Sequence, residues 1–179
     1  MIGMESFSKK LHVVCGAPGA GKTTFARELA AKIGAVVFDS DEVTQRLVKA
    51  GLALAGMDVD DRDSSRYKAA YRDVVYETLW DLAVSNAKHI PVIVAGPFTS
   101  ECADADWPEK IVERTGLQPQ IWFVRCPSEI RRERIAARGE DRDRSKLDDW
   151  EHHRQHSREE IPAFPCTVID HGKSPITKA

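Results

Sequence analysis

The nine residues "GAPGAGKTT" (16–24) decide how this chain is read. They follow the apolar run "LHVVC" (11–15) and precede a segment in which Phe25, Leu29 and Ile33 recur at helical spacing. A buried strand, a glycine-rich turn and an amphipathic helix form the setting in which GxxxxGK[ST] becomes a phosphate cradle. Gly16, Gly21, Lys22 and Thr23 match its fixed positions, and Ala17, Gly19, Ala20 and Thr24 complete the loop. Glycines let backbone N–H groups converge on an anion because no Cβ blocks the approach. The helix that follows adds free N–H groups and the positive end of its dipole. Lys22 is placed to reach phosphate oxygens, and the Thr23 hydroxyl to ligate Mg²⁺.

Beyond the loop, short apolar runs alternate with helical patterns. Strands are expected at "AVVF" (35–38), "IPVIVAG" (90–96), "QIWFVRC" (120–126) and "CTVID" (166–170). Helices are expected between them: one from Asp41 ending at Gly51, and a long one from Ser64 with Tyr67, Tyr71, Val75, Leu79 and Leu82 on its apolar face. Two more open at Pro108 and Pro127 and stop at Gly116 and Gly139. Residues 52–63 read as a loop, and 150–161 as a helix with His152, His153 and His156 on an exposed surface. Five strands separated by helices imply an α/β three-layer sandwich around a five-stranded parallel sheet. No internal repeat or linker splits the chain, so residues 1–179 are expected to form one domain.

The 179 residues are 42% hydrophobic and 30% charged, with a formal net charge of −2. That balance argues against a broad nucleic-acid surface. Cys15, Cys102, Cys126 and Cys166 show no CxxC pair and no metal-ligand spacing, as expected of reduced thiols in a cytoplasmic protein. The sequence begins without the apolar core of a signal peptide, and no stretch approaches the length of a membrane span. Trp80, Trp107, Trp122 and Trp150 are expected in packing roles. The oligomeric state has no signature in the sequence.

Two further stretches carry chemistry. "FDSDEV" (38–43) places Asp39 and Asp41 just after a buried strand. In a parallel sheet ligands lie beyond the carboxyl ends of the strands. One carboxylate there suits hydrated Mg²⁺, and the other suits the proton of an attacking hydroxyl. The same residues also fit a strand end followed by a helix cap at Ser40 or Asp41. In "EIRRERIAARGEDRDRSK" (129–146), Arg131, Arg134 and Arg138 fall on one helix face, and Arg142 and Arg144 follow in a mixed-charge segment. Arginine is suited to spread phosphoryl charge and to stack on a base.

Taken together, the strand, loop, helix and "FDSD" resemble shikimate kinase and, more broadly, the nucleoside-monophosphate-kinase-like and zeta-toxin-like small P-loop kinases. The resemblance implies a P-loop NTPase fold with a short arginine-rich lid near residues 138–147, and Mg²⁺ and ATP as cofactors. It implies Asp39 with Thr23 on the metal side and Asp41 as the base. Arg134 would lie against adenine, with Arg138 and Arg142 on the transferring phosphate. The loop "IDHGKSP" (169–175) resembles the adenine-edge loop of nucleoside-monophosphate kinases, which places Gly172 and Lys173 at the base. Where these families carry an acidic or small residue after the third strand, this chain has "VIVAGPF", with no aspartate. Gly96, Pro97 and Phe98 should therefore line the cleft, with Arg62 and Arg66 as candidate anchors for a small-molecule acceptor. The glycine pattern with which shikimate kinase holds its acid is missing. The expected activity is transfer of the γ-phosphoryl of Mg-ATP to a small-molecule hydroxyl. A nucleotide-hydrolysing switch module and a polynucleotide 5′-hydroxyl kinase stand as alternatives.

Overall fold

A computed structural model of the protein describes residues 10–157 and 159–171. Five strands form one parallel sheet: β1 (Leu11–Cys15), β2 (Val36–Asp39), β3 (Val92–Ala95), β4 (Pro119–Arg125) and β5 (Thr167–Asp170). Their order is β2-β3-β1-β4-β5. Among the described residues seven α-helices connect them: α1 (Lys22–Ile33), α2 (Ser40–Leu54), α3 (Ser65–Asn86), α4 (Trp107–Thr115), α5 (Ser128–Arg138), α6 (Arg144–Asp148) and α7 (Trp150–His156).

The first strand is the centre of the sheet, and the chain leaves it towards β2 on one side and β4 on the other. That reversal opens a crevice at the carboxyl ends of the strands. Val14 pairs with Ala95, and Ala95 with Asp39, so the end of β2 lies one strand away from the end of β1. One core cluster packs Leu79, Trp80 and Ala83 of α3 and Ile111 of α4 against Val13, Val94 and Phe123. The opposite cluster packs Ala26 and Leu29 of α1 against Val14, Ile93, Trp122 and Val124. Both faces of β1 are covered, which explains why "LHVVC" carries no polar alternation.

Gly34, Gly116 and Gly139 end α1, α4 and α5, as their places in the sequence predict. Gly51 does not end α2, which continues to Leu54. A Cβ at position 51 would come within 2.1 Å of the Tyr71 Oη, so this glycine marks a close crossing of α2 and α3. The helix cap also differs from expectation. Asp39, not Ser40 or Asp41, caps α2 by accepting a hydrogen bond from the Asp41 N–H.

Gly16 shows why the loop needs glycine at its first position. Its φ is 134°, and a Cβ there would sit 2.1 Å from the carbonyl oxygen of Val124. Gly16→Ala is therefore expected to destabilise the fold by at least about 2–3 kcal/mol through overpacking and backbone strain. Thermal denaturation checks this, and an unchanged midpoint would count against the close contact with β4.

Candidate active site

A cleft of about 610 Å³ opens at the carboxyl ends of the strands. Pro18, Gly19, Gly21, Lys22, Thr23 and Thr24 form its floor, and Arg134 and Arg138 of α5 form one wall. Asp39 and Asp41 lie at the start of α2, and Gly96, Pro97 and Thr99 follow β3. Residues separated by more than a hundred positions thus meet around one space. Gly16, Ala17 and Ala20 are buried behind the loop and shape it without facing the cleft.

Lys22 donates from Nζ to the Ala17 carbonyl at 3.0 Å. Burial lowers its pKa from 10.5 to about 8, against the opposing pull of Asp39 and Asp41. A cation so poorly solvated gains strongly from a phosphate. The Thr23 hydroxyl donates to Asp39 Oδ2 at 2.8 Å, while Asp39 Oδ1 accepts from the Asp41 N–H at 2.9 Å. Asp39 is 94% buried by this arrangement, since only 6% of its surface is exposed. The hydroxyl and the carboxylate already converge as hard oxygen donors, the type of site that Mg²⁺ takes with several of its waters retained. The Thr23 hydroxyl and the Asp39 carboxylate, the pair that the sequence reading put on the metal side, therefore meet at the end of β2.

Asp41 faces the cleft and pairs with Arg142 Nη1 at 2.7 Å. Arg142 also meets Glu140, with Nε at 2.5 Å from Oε2. Burial depresses the Arg142 pKa, but Asp41 and Glu140 together carry it above its ordinary value. The guanidinium thus stays charged although its side chain is only 10% exposed. Arg138 and Lys146 both hold Asp143, which is fully buried. Burial pushes the Asp143 carboxyl up, yet these two partners bring its pKa below the usual value. The segment that the sequence reading expected as a lid is accordingly a folded charge network, formed by a 3₁₀ turn at Asp141–Asp143 followed by α6. Ser145 of α6 donates to Asp63 at 2.9 Å, tying α6 to the turn before α3.

Not every candidate reaches the cleft. Arg66 is exposed and does not line it, whereas Arg62 and Arg72 do. Arg72 is committed to Glu101 and Ser100. Arg62 spans Val59 and Asp61 carbonyls with Nη1 and lies 5.3 Å over the Tyr67 ring, while its Nη2 is buried without a hydrogen-bond partner among the described residues. Phe98 is wholly buried and absent from the lining. Its φ of 46° is left-handed, a conformation costing about 1–2 kcal/mol for a residue with a Cβ. Its ring packs on Tyr76, Trp80 and Trp107 at 4.6, 5.7 and 5.1 Å. Three such contacts, each about 0.5–1.5 kcal/mol, outweigh that strain. The bend they hold brings the Pro97 carbonyl to the Gly16 N–H at 3.4 Å. Phe98 therefore shapes the cleft from behind.

Arg144 is exposed and paired with Asp141, away from the cleft. Arg131 is fully buried. His153, expected on an exposed surface, lines the cleft instead. Burial, with Lys146 and Arg131 nearby, lowers its pKa to about 4, so the ring is neutral. Gly172 and Lys173 lie outside the described residues. Among the described residues no group of three His, Cys, Asp or Glu side chains forms a further metal site, and no helix is long and apolar enough to cross a membrane.

A family model described as an AAA domain matches residues 11–162, and the chain belongs to that family. A curated relative described as shikimate kinase, from Thermobifida fusca (strain YX), is 36% identical over 89 residues, 50% of this chain and 46% of that protein. The matched region spans about half the length of that relative. The crystal structure of a gluconokinase from Sinorhizobium meliloti 1021 superposes with a TM-score of 0.61 at 14% identity, covering 93% of this chain and 85% of that one. That of a sugar kinase from Janibacter sp. HTCC2649 gives a TM-score of 0.60 at 16% identity, covering 90% of this chain and 85% of the other. These likenesses establish the shared fold.

Proposed function

Because the chain belongs to the AAA-domain family and faces its phosphate loop with two carboxylates, we propose that it is an ATP-dependent small-molecule kinase. The observation that carries this reading is the placement of Asp41. A module that only binds a nucleotide has no need of a second carboxylate in the cleft beside the Thr23–Asp39 pair. The partial identity to a shikimate kinase and the fold shared with sugar kinases support the same reading.

Lys22 and the loop N–H groups would bind the phosphates, and Thr23 with Asp39 would hold Mg²⁺. Bound Mg-ATP supplies the activated phosphoryl group and its leaving group. Asp41 accepts the proton of the acceptor hydroxyl through a carboxylate oxygen. Arg138 and Arg142, fixed by the lid network, present positive charge to the transferring group. Arg134 lies beside Gly21 and would cover the base. The lid shields the cleft from water, which favours the acceptor over hydrolysis.

The acceptor class follows from Arg62. Its guanidinium lines the cleft beside the Tyr67 ring and brings positive charge to the side opposite the phosphate loop, which suits an anionic group on the acceptor. The acceptor is accordingly a hydroxylated molecule bearing a carboxylate or phosphate. The test measures ADP formation with a panel of sugar acids, sugar phosphates, neutral polyols and 5′-hydroxyl oligonucleotides. An anionic hydroxy compound should accelerate turnover well above the acceptor-free rate, and Arg62→Gln should raise its KM. Turnover indifferent to every acceptor would point to a nucleotide-hydrolysing switch, and phosphate gained by oligonucleotides to a polynucleotide kinase.

A further inference from the structure

A phosphate loop must turn its N–H groups inward, so the carbonyls of the same peptides turn outward. Buried carbonyls need donors, or the peptides gain freedom to rotate away. Three cations meet these carbonyls here. Lys22 Nζ lies 3.0 Å from the Ala17 oxygen, Arg131 Nη1 3.2 Å from the Pro18 oxygen, and Arg134 Nη1 3.4 Å from the Ala20 oxygen. Lys22 and Arg134 also line the cleft, where an incoming phosphate competes for them. Arg131 does not line the cleft, and none of its surface is exposed. Its bond to the loop is the one that a ligand leaves undisturbed.

We propose that Arg131 is a positioning residue for nucleotide binding, acting by clamping the middle of the phosphate loop. The proposal rests on the nucleotide half of the kinase reading. The clamp has two jaws. The Arg131 guanidinium bonds the Pro18 carbonyl, and the Arg131 carbonyl lies 3.0 Å from where a Cβ on Gly19 would be. A buried guanidinium is costly unless it is paired. Here Nη2 pairs with Glu159, and the group lies 5.5 Å over the Trp150 ring. Trp150 begins α7, just beyond the lid, and Glu159 belongs to the segment leading to β5. The loop geometry is therefore anchored to chain that returns after the lid. Lysine cannot reproduce this, because its single ammonium lacks the planar fork that reaches carbonyl, carboxylate and ring together.

The experiment measures ATP binding by titration calorimetry without an acceptor, followed by steady-state kinetics and thermal midpoints. Arg131→Met is expected to weaken ATP binding by about tenfold, the size of one lost charge-assisted hydrogen bond. The KM for ATP should rise in step, with kcat and the acceptor KM near those of the parent. Arg131→Lys should recover only part of the affinity. A lower midpoint with parental ATP affinity would show a purely structural role and overturn the proposal. If Arg131→Met does not fold, Glu159→Ala decides, since it removes only the outer, partly exposed partner. Weakened ATP binding in that variant supports the clamp, and parental affinity overturns it. A parent chain that binds no ATP would overturn the kinase reading and the clamp together, whereas a parent that binds ATP but phosphorylates nothing leaves the clamp testable by the same titration.

Discussion

Asp41→Asn is expected to lower kcat by about 10²–10⁴-fold, the usual contribution of a positioned base, while leaving ATP binding and the fold in place. The isolation of the effect follows from how Asp41 is held. Its contribution to the local backbone is the N–H that Asp39 accepts, and asparagine keeps that N–H. The pair lost is the one with Arg142, in which the Asp41 side chain is 56% exposed. Arg142 is itself only 10% exposed, but it keeps Glu140 as a partner when Asp41 loses its charge, so no buried cation is left unpaired and the thermal midpoint should move little. Rapid-quench measurement of a single turnover, with acceptor saturating, separates the chemical step from product release. A parental single-turnover rate in Asp41→Asn would remove Asp41 from the proton transfer, and would favour the reading in which "FDSD" is only a strand end and a cap.

The parts of the site that could be read from sequence are those whose geometry is local. The loop at 16–21 lies between a strand and a helix that are both evident from spacing, and Lys22–Thr24 open that helix, so each of these residues has one place to be. Asp39 and Asp41 were legible because the end of β2 fixes them, although the pattern could not tell that Asp39 caps α2 and receives Thr23 at once. Elsewhere one pattern fitted two structures. Arg131, Arg134 and Arg138 share a helix face, but α7 covers only the first of them, through Trp150. A lone glycine after a helical run signals a stop or a close crossing, and at Gly51 the Tyr71 hydroxyl makes it the second. Arg62 and Arg66 are one turn apart in sequence, but Ser64 caps α3 between them and leaves Arg62 in the preceding turn. His153 was hidden beside the exposed His152, because the packing of α7 against α6 has no short-range signature. Phe98 followed a cleft-lining glycine and proline, yet three aromatic partners from α3 and α4 draw it inward.

Lys22→Met should reduce kcat by at least about 10²–10³-fold and weaken ATP binding as well, since it removes a preorganised charge from the developing phosphoryl transition state. Stability should move the other way. The folded protein holds the Lys22 proton less tightly than an unfolded chain does, with a pKa of about 8 against 10.5. Below pH 8 both states carry the charge, and the full cost of burying it falls on the folded protein. Between pH 8 and 10.5 the unfolded chain binds more protons, so this residue's contribution makes stability rise with pH. Phosphate binding selects the charged form, so ATP affinity should fall over the same interval. Opposite slopes for stability and affinity are a signature that neither a simple structural lysine nor a surface lysine would give. Calorimetric ATP titrations and urea midpoints from pH 7 to 10, on the parent and on Lys22→Met, provide the comparison. The variant should lose both slopes and at pH 7 should match or exceed the parent in stability. If the parent's ATP affinity stays level through pH 9, Lys22 keeps its proton there, and the desolvated cation is not what draws the phosphates into the loop.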